Sequence, residues 1–362
     1  MTISHLTVGE PAPWFAALDG CDLGKTVALD ELAGRHIVLF FFESAAHSNL
    51  AEVIAMLDRR DDLFDGHNAI LLGVGSNRED FEKSRVPANR AGKIFLWDSS
   101  GTVSKQYGVA QSGSAGEATA AGAAAFILSP ALQIIEILAL TKPAVFVDRT
   151  ISLLNAHLGC PSSFQTAPLL IVPQIFDRAF CKELIDLYES AGGREIGVVE
   201  SDGKIIERFD PQFRKRFDWY ISDENALPRA REMIARRLLP MVYRAFQFRT
   251  TRIERYLVGC YDATTGGYFK PHRDNMAPIV AHRRFAVTIN LNDDYQGGHL
   301  RFPEFGSQIY RTAPGGAIVF SCSLLHGVLA VTHGRRYAFL SFFYDEAAQQ
   351  VRDEYQKKFA SP

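Results

Sequence analysis

Paired cysteines, long apolar runs and a strong charge of either sign are all missing from this 362-residue chain. Its five cysteines, Cys21, Cys160, Cys181, Cys260 and Cys322, stand singly at irregular intervals, so neither a zinc-binding pair nor a dithiol is spelled out. An odd, unpaired set reads as free thiols in a reducing compartment. No stretch approaches the roughly 18 apolar residues that a membrane-spanning helix needs, so no membrane partner is expected. The opening residues, MTISHLTVGEPAPWF, have neither a basic start nor an apolar centre; a secretory signal is not expected and a cytoplasmic location is. A formal net charge of −2 argues against nucleic acid as a main partner. No internal repeat is visible.

What is present is apolar matter for two cores. Hydrophobic residues make up 47% and charged residues 22% of a length at which a single core stops growing. The charge is unevenly divided: residues 1–164 carry 12 Lys and Arg against 18 Asp and Glu, and the remainder 27 against 23, a balance of −6 and +4. The basic half suits an acidic substrate, or the acidic half. Basic residues cluster in RKRFDW (Arg214 to Trp219) and in RAREMIARR (Arg229 to Arg237), and a solvated helix face accounts for the second.

The most informative residues lie near the C-terminus. His272 and Asp274, in FKPHRDN, are two apart, so in an extended strand or its exit both side chains point the same way. His326 follows the apolar run AIVFSC, as a residue at the end of a neighbouring strand would. Two imidazoles and one carboxylate form the facial ligand set of non-haem iron(II), which leaves the opposite face open for a co-substrate and dioxygen. A histidine and an aspartate two apart also occur by chance, so the surroundings decide.

Those surroundings are RYLVGCYDATTGGYFKPHRDN, RRFAVTINLNDDYQGGHLRFPEF and APGGAIVFSCSLLHGVLAVTHGRRYAFLSFFYD. Together they resemble the core of the prolyl 4-hydroxylase-like 2-oxoglutarate- and Fe(II)-dependent dioxygenases, over roughly residues 168 to 346. The resemblance implies a double-stranded β-helix (jelly-roll, cupin-like) with flanking helices. It implies His272, Asp274 and His326 as iron ligands and Arg336 as the partner of the far carboxylate of 2-oxoglutarate. A guanidinium fits that carboxylate bidentately and stays charged when desolvated. Arg335 competes, but strand alternation turns the two arginines to opposite faces. Tyr256 is the expected second contact to the co-substrate, with a structural tyrosine as the competing account, and Thr288 is expected to line the same cavity. The run YQGGHLRF departs from the family pattern by placing His299 where a carboxylate is usual. A solvent-facing edge residue is the plainer account of it, and His299 stays outside the ligand set. Cys322, four residues before His326, is read as a packing residue.

The first half carries VGEPAPWFAALD, the strand HIVLFFF, AILLGVGSNREDFEK, LWDSSGTVSKQYGV and AAAFILSPALQIIEIL. These resemble the peroxiredoxin and redoxin branch of the thioredoxin fold, and alternating strand and helix patterns support an α/β layer structure independently. The catalytic elements do not match. Aligned on the strand, Leu50 takes the place of the peroxidatic cysteine, His47 that of the preceding threonine, and Ala123 that of an arginine. Cys21 lies in the wrong loop to substitute. A non-catalytic scaffold is therefore expected.

The domain reading is a thioredoxin-like domain over residues 1–160 and a dioxygenase domain over 165–350. Between them a helix, Ala144 to Leu158, runs into the linker GCPSSFQTAP. The small-residue segment Gln111 to Ala125 reads as a loop or insertion. Asp177 is placed to cap the next helix, with Phe180, Leu184 and Leu187 on one face and glycines closing it. The resemblance implies hydroxylation of a prolyl or other residue in a protein or peptide, with succinate and CO2 released and ascorbate as a further candidate reductant. An aspartate ligand at 274 argues against a halogenase. A free amino acid or small metabolite as substrate, a non-catalytic sensor of iron and 2-oxoglutarate, and a homodimer remain open.

Overall fold

The computed structural model describes residues 6–22, 24–109, 123–159, 166–195, 198–201, 205–208 and 210–359. The chain divides into two compact units, Met1–Gln165 with Pro303–Gly306, and Thr166–Phe302 with Ser307–Pro362. Most of the small-residue segment (residues 111–122) and of the linker (residues 160–165, with Cys160) falls outside the described residues.

In the first unit the apolar runs form the middle of a seven-stranded sheet. Its order is Thr26–Ala28, Ala16–Asp19, Lys93–Trp97, Ala69–Gly75, His36–Phe42, Ala124–Leu128, Ile134–Ala139. The three central strands from Lys93 to Phe42 pair in parallel, and their neighbours are antiparallel. Every residue of Ala69–Gly75 is buried, which is why that strand is uniformly apolar or glycine instead of alternating. Helices Ser48–Asp58 and Pro143–Gly159 share one core with the sheet through Val53, Leu57, Phe146 and Leu154 against Phe40 and Phe42. This is a thioredoxin-like layer structure. Leu50 is buried in the first turn of Ser48–Asp58 and His47 is its N-cap. At the strand exit the buried Asp80 carboxylate accepts from Ser44 Oγ (3.1 Å) and Ala45 N–H (2.6 Å), and pairs with Arg85 (3.1 Å). Cys21 is exposed, its sulfur accepting from the Asn89 N–H.

The second unit is a jelly roll of two antiparallel sheets. The larger runs Leu169–Val172, Ala317–Ser321, Phe285–Asn290, Arg335–Tyr344, Arg252–Asp262, Phe217–Tyr220, Arg194–Glu195; the smaller runs Arg214–Lys215, Tyr268–His272, His326–Val328, Leu300–Arg301, Ile309–Tyr310. Helix Arg178–Ala191 is capped by Asp177, whose carboxylate accepts from Phe180 N–H (2.8 Å), and it ends at Gly192 with a φ of 74°. A second helical stretch joins Ala226–Met233, a π turn Ile234–Leu238, and Leu239–Phe246. Pro240 has no N–H to return to residue 236, which accounts for the widened turn.

Alternation sorts the large sheet into two faces. Val258, Cys260, Tyr337, Phe339 and Phe343 pack with Phe180, Leu184, Ile234 and Val242 of the helices. Leu257, Tyr261, Arg336, Leu340 and Phe342 point the other way, into a cavity that the smaller sheet also lines.

Candidate metal centre and co-substrate cavity

His272 closes one strand of the smaller sheet and His326 opens the next, and the two are cross-strand partners. Asp274 lies two residues past His272, where its N–H donates to the Cys322 carbonyl (3.0 Å) and fixes the turn. One donor atom from each of the three side chains lies within 4.8 Å of the other two. Asp274 meets both rings, with one carboxylate oxygen 3.5 Å from His272 Nε2 and the other 3.3 Å from His326 Nε2.

Ring orientation is set from behind. His272 Nδ1 lies 2.8 Å from the Lys270 carbonyl, and His326 Nδ1 lies 3.0 Å from that of Leu324. A carbonyl only accepts, so each Nδ1 carries a proton and donates it backward, which leaves each Nε2 facing the common point as the atom a metal would take. The His272 ring stacks on Phe269 at 3.6 Å, and Phe320 meets the His326 ring at 4.6 Å. Burial, with the nearby His326, pushes the His272 pKa down and favours its neutral form. Burial works to raise the Asp274 pKa, but His326 and the hydrogen bonds from both rings outweigh it, and the carboxyl stays well below the usual range. Two imidazoles held by their Nδ1 atoms and one carboxylate, gathered inside the fold, are the ligand set that a divalent metal of the iron type requires.

The cavity around this cluster has a volume of about 280 Å³. Arg336 lines it, is 5% exposed, and leaves Nη1 without a hydrogen-bond partner while Nη2 donates weakly to Thr288 Oγ1 at 3.4 Å. An orphaned buried donor on a guanidinium is a ready place for a carboxylate. Arg335 points outward and pairs with Glu189 at 2.9 Å.

Tyr256 does not stand where a contact to the co-substrate would need it. It packs on the helix side of the large sheet, near Phe339 (6.1 Å between ring centroids) and under the Arg231 guanidinium (5.1 Å), and does not line the cavity. The reason is parity: Tyr256 shares its face with Val258 and Cys260. The tyrosine that does reach the cavity is Tyr261, which pairs across the strands with Arg336, lies under its guanidinium at 5.2 Å, and accepts from Arg216 Nη1 at 3.3 Å. Cross-strand partners share a face, so the inward assignment of Arg336 carried the signal that points to Tyr261. Thr288 lies in the cavity wall. His299 is half-buried beside Leu300–Arg301, its carbonyl accepting from Leu329 N–H, and belongs to neither the ligand cluster nor the cavity lining. Cys322 is fully buried, its thiol pushed well up by burial and by Asp274.

Comparison with known proteins divides the chain as the fold does. Residues 256–344 match the 2OG-Fe(II) oxygenase superfamily and residues 8–137 the AhpC/TSA family. The protein therefore joins a 2OG-Fe(II) oxygenase domain to an AhpC/TSA redoxin domain. A PKHD-type hydroxylase of Synechococcus sp. (strain JA-2-3B'a(2-13)) is 32% identical over 97 residues, which is 25% of this chain and 42% of that protein. A second, from Stutzerimonas stutzeri (strain A1501), is 32% identical over 143 residues, 36% of this chain and 60% of that protein. The chain thus spans about half the length of the curated relatives it matches. Among solved structures, a prolyl hydroxylase of Trichoplax adhaerens, in complex with a hypoxia inducible factor peptide fragment, is 18% identical over 51% of this chain and 87% of that one, with a TM-score of 0.43. Among the described residues, no helix is long and apolar enough to cross a membrane.

Proposed function

We propose that the protein is a 2-oxoglutarate- and Fe(II)-dependent dioxygenase that hydroxylates a C–H bond, of a prolyl or other residue in a protein or peptide, and releases succinate and CO2. The observation that carries this reading is the convergence of His272, Asp274 and His326 at one wall of a cavity that also holds the half-satisfied Arg336. Bound at the three side chains, iron would supply the redox chemistry that activates dioxygen. The chain does the rest. Arg336 holds the far carboxylate of 2-oxoglutarate, with Thr288 and the Tyr261 ring fixing the guanidinium. Lys270 and Leu324 keep the imidazole rings aimed through their carbonyls. Leu257, Val328, Leu340 and Phe342 keep the walls apolar, which strengthens each polar contact inside.

The first unit serves, in this proposal, as a non-catalytic scaffold for substrate recognition or dimer formation. Leu50 offers no thiolate at the position where the redoxin resemblance expects one, and a thiol cannot be replaced by an alkyl group as a nucleophile.

The test is incubation of the full-length protein with Fe(II), 2-oxoglutarate and cell lysate, reading succinate and seeking by mass spectrometry a component that gains one oxygen. A matched pair of signals is expected. Binding of iron and 2-oxoglutarate with no succinate under any lysate fraction would overturn catalysis and leave the sensor reading.

A further inference from the structure

Once Asp274 and Arg336 are given their roles, the cavity still has Arg214, Arg216, Arg255, Arg273 and Arg283 in its wall. Among the described residues, Asp218 and Glu254 pair with three of them. Asp218 takes Arg216 through both oxygens, at 2.6 and 2.8 Å. Glu254 is shared between Arg283 (2.5 Å) and Arg255 (3.1 Å), with His282 on it as well at 2.8 Å. Arg214 is more than nine-tenths buried and its Nη2 has no hydrogen-bond partner. A dry guanidinium with an orphaned donor is unfavourable until a ligand brings an anion to it. Burial, reinforced by Arg216, lowers the Arg214 pKa to about 10, so the group is still charged near neutrality.

Position ties Arg214 to the reaction centre. Its guanidinium lies 5.4 Å from the centre of the Phe269 ring, and that ring is the one stacked on His272. Arg255, which shares Glu254 with Arg283 and His282, holds a left-handed φ of 68° inside a strand, a strained conformation that side chains keep at sites where their direction matters.

We infer that the primary substrate carries a carboxylate and that Arg214, assisted by Arg255, receives it in the cavity beside the metal centre. The inference rests on the dioxygenase reading and adds a second anion site to the one at Arg336. Two sources share this chemistry: the α-carboxylate of a free amino acid, and an acidic side chain next to the modified residue of a peptide.

The experiment is calorimetric titration of full-length protein loaded with Mn(II) under nitrogen and saturated with 2-oxoglutarate. The probes are L-proline against L-prolinamide, and acetyl-Pro-Glu-amide against acetyl-Pro-Gln-amide. In one pair the carboxylate should bind at least about tenfold more tightly than its amide, the size of one charge-assisted contact. R214Q should bring that ratio to within about twofold, and R255Q should lower it. The pair that discriminates identifies the source. Thermal midpoints check that the variants fold, and R255Q alone carries the test if R214Q does not. Equal binding within both pairs, no binding of any probe, or a preference that survives in folded R214Q would overturn the inference. Failure of 2-oxoglutarate itself to bind the wild-type protein would instead sink the dioxygenase reading, and this inference with it.

Discussion

His272 and His326 face each other across two antiparallel strands with ring centroids 4.4 Å apart. The pair is therefore built into sheet register, and its separation does not depend on a loop. His272→Ala or His326→Ala should abolish both iron binding and succinate formation, since one of three protein ligands is lost while the sheet survives. Iron content and succinate are measured together; normal turnover in H326A would remove the ligand assignment.

Arg336→Ala should raise the 2-oxoglutarate requirement by the equivalent of about 2–5 kcal/mol, the cost of leaving a desolvated charge without its partner. Arg335→Ala removes only an exposed ion pair with Glu189, worth about 0–1 kcal/mol of stability, and serves as the control. The dependence of succinate formation on 2-oxoglutarate concentration separates them. If R335A were the damaging change, the register of this strand would be wrong.

Tyr261→Phe should weaken 2-oxoglutarate binding by a few-fold, because the hydroxyl that accepts from Arg216 disappears beside Arg336. Tyr256→Phe should leave that affinity unchanged, its ring lying on the far face of the sheet. Fluorescence or calorimetric titration of the co-substrate decides between the two tyrosines.

Glu254 gives a pH dependence with a definite sign. Burial works to raise its pKa, but the hydrogen bonds from His282 and Arg283 prevail and hold it far below the ordinary 4.5. A depressed carboxyl contributes stability that is complete above about pH 4.5 and fades as pH falls towards the folded-state value. Glu254→Gln should cost about 3–5 kcal/mol near neutrality, as expected when a buried pair loses one partner. The gap between wild type and E254Q in urea unfolding should narrow below pH 4.5. A gap that widened on acidification would contradict the sign.

Deleting residues 1–160 should leave succinate formation without primary substrate measurable, while coupled hydroxylation weakens or the oligomeric state changes. A soluble, monomeric fragment with unchanged efficiency, from a parent that is also monomeric, would reject recognition and assembly as the roles of the first unit. Sedimentation and product analysis on both proteins settle the matter.

Much of this was legible from residue order. His272 and Asp274 lie two apart, so local geometry alone brings them together, and Arg335 and Arg336 are sorted by alternation. Tyr256 was misplaced because alternation says that neighbours face opposite ways without saying which of them faces in; the pairing of Tyr261 with Arg336 supplies the missing reference. The cluster at Arg214 was visible as charge but not as a cavity wall. Its direction comes from pairing with Tyr268–His272, a contact more than fifty residues away in the chain. The capped helix at Asp177 was readable because a cap is a local hydrogen bond.

The irregularity at Arg255 has a further consequence. Glu254 pairs with Phe342 and Leu257 with Leu340, so the strand Arg252–Asp262 spends one residue more than its neighbour over this interval. A single deletion inside a barrel strand ordinarily turns every following side chain to the wrong face. Here the strand already contains the surplus letter, and removing Arg255 would restore an uninterrupted ladder with Tyr261 still opposite Arg336. The reading frame of the barrel is thus written one residue long, and the extra residue is a cation pointed at the cavity.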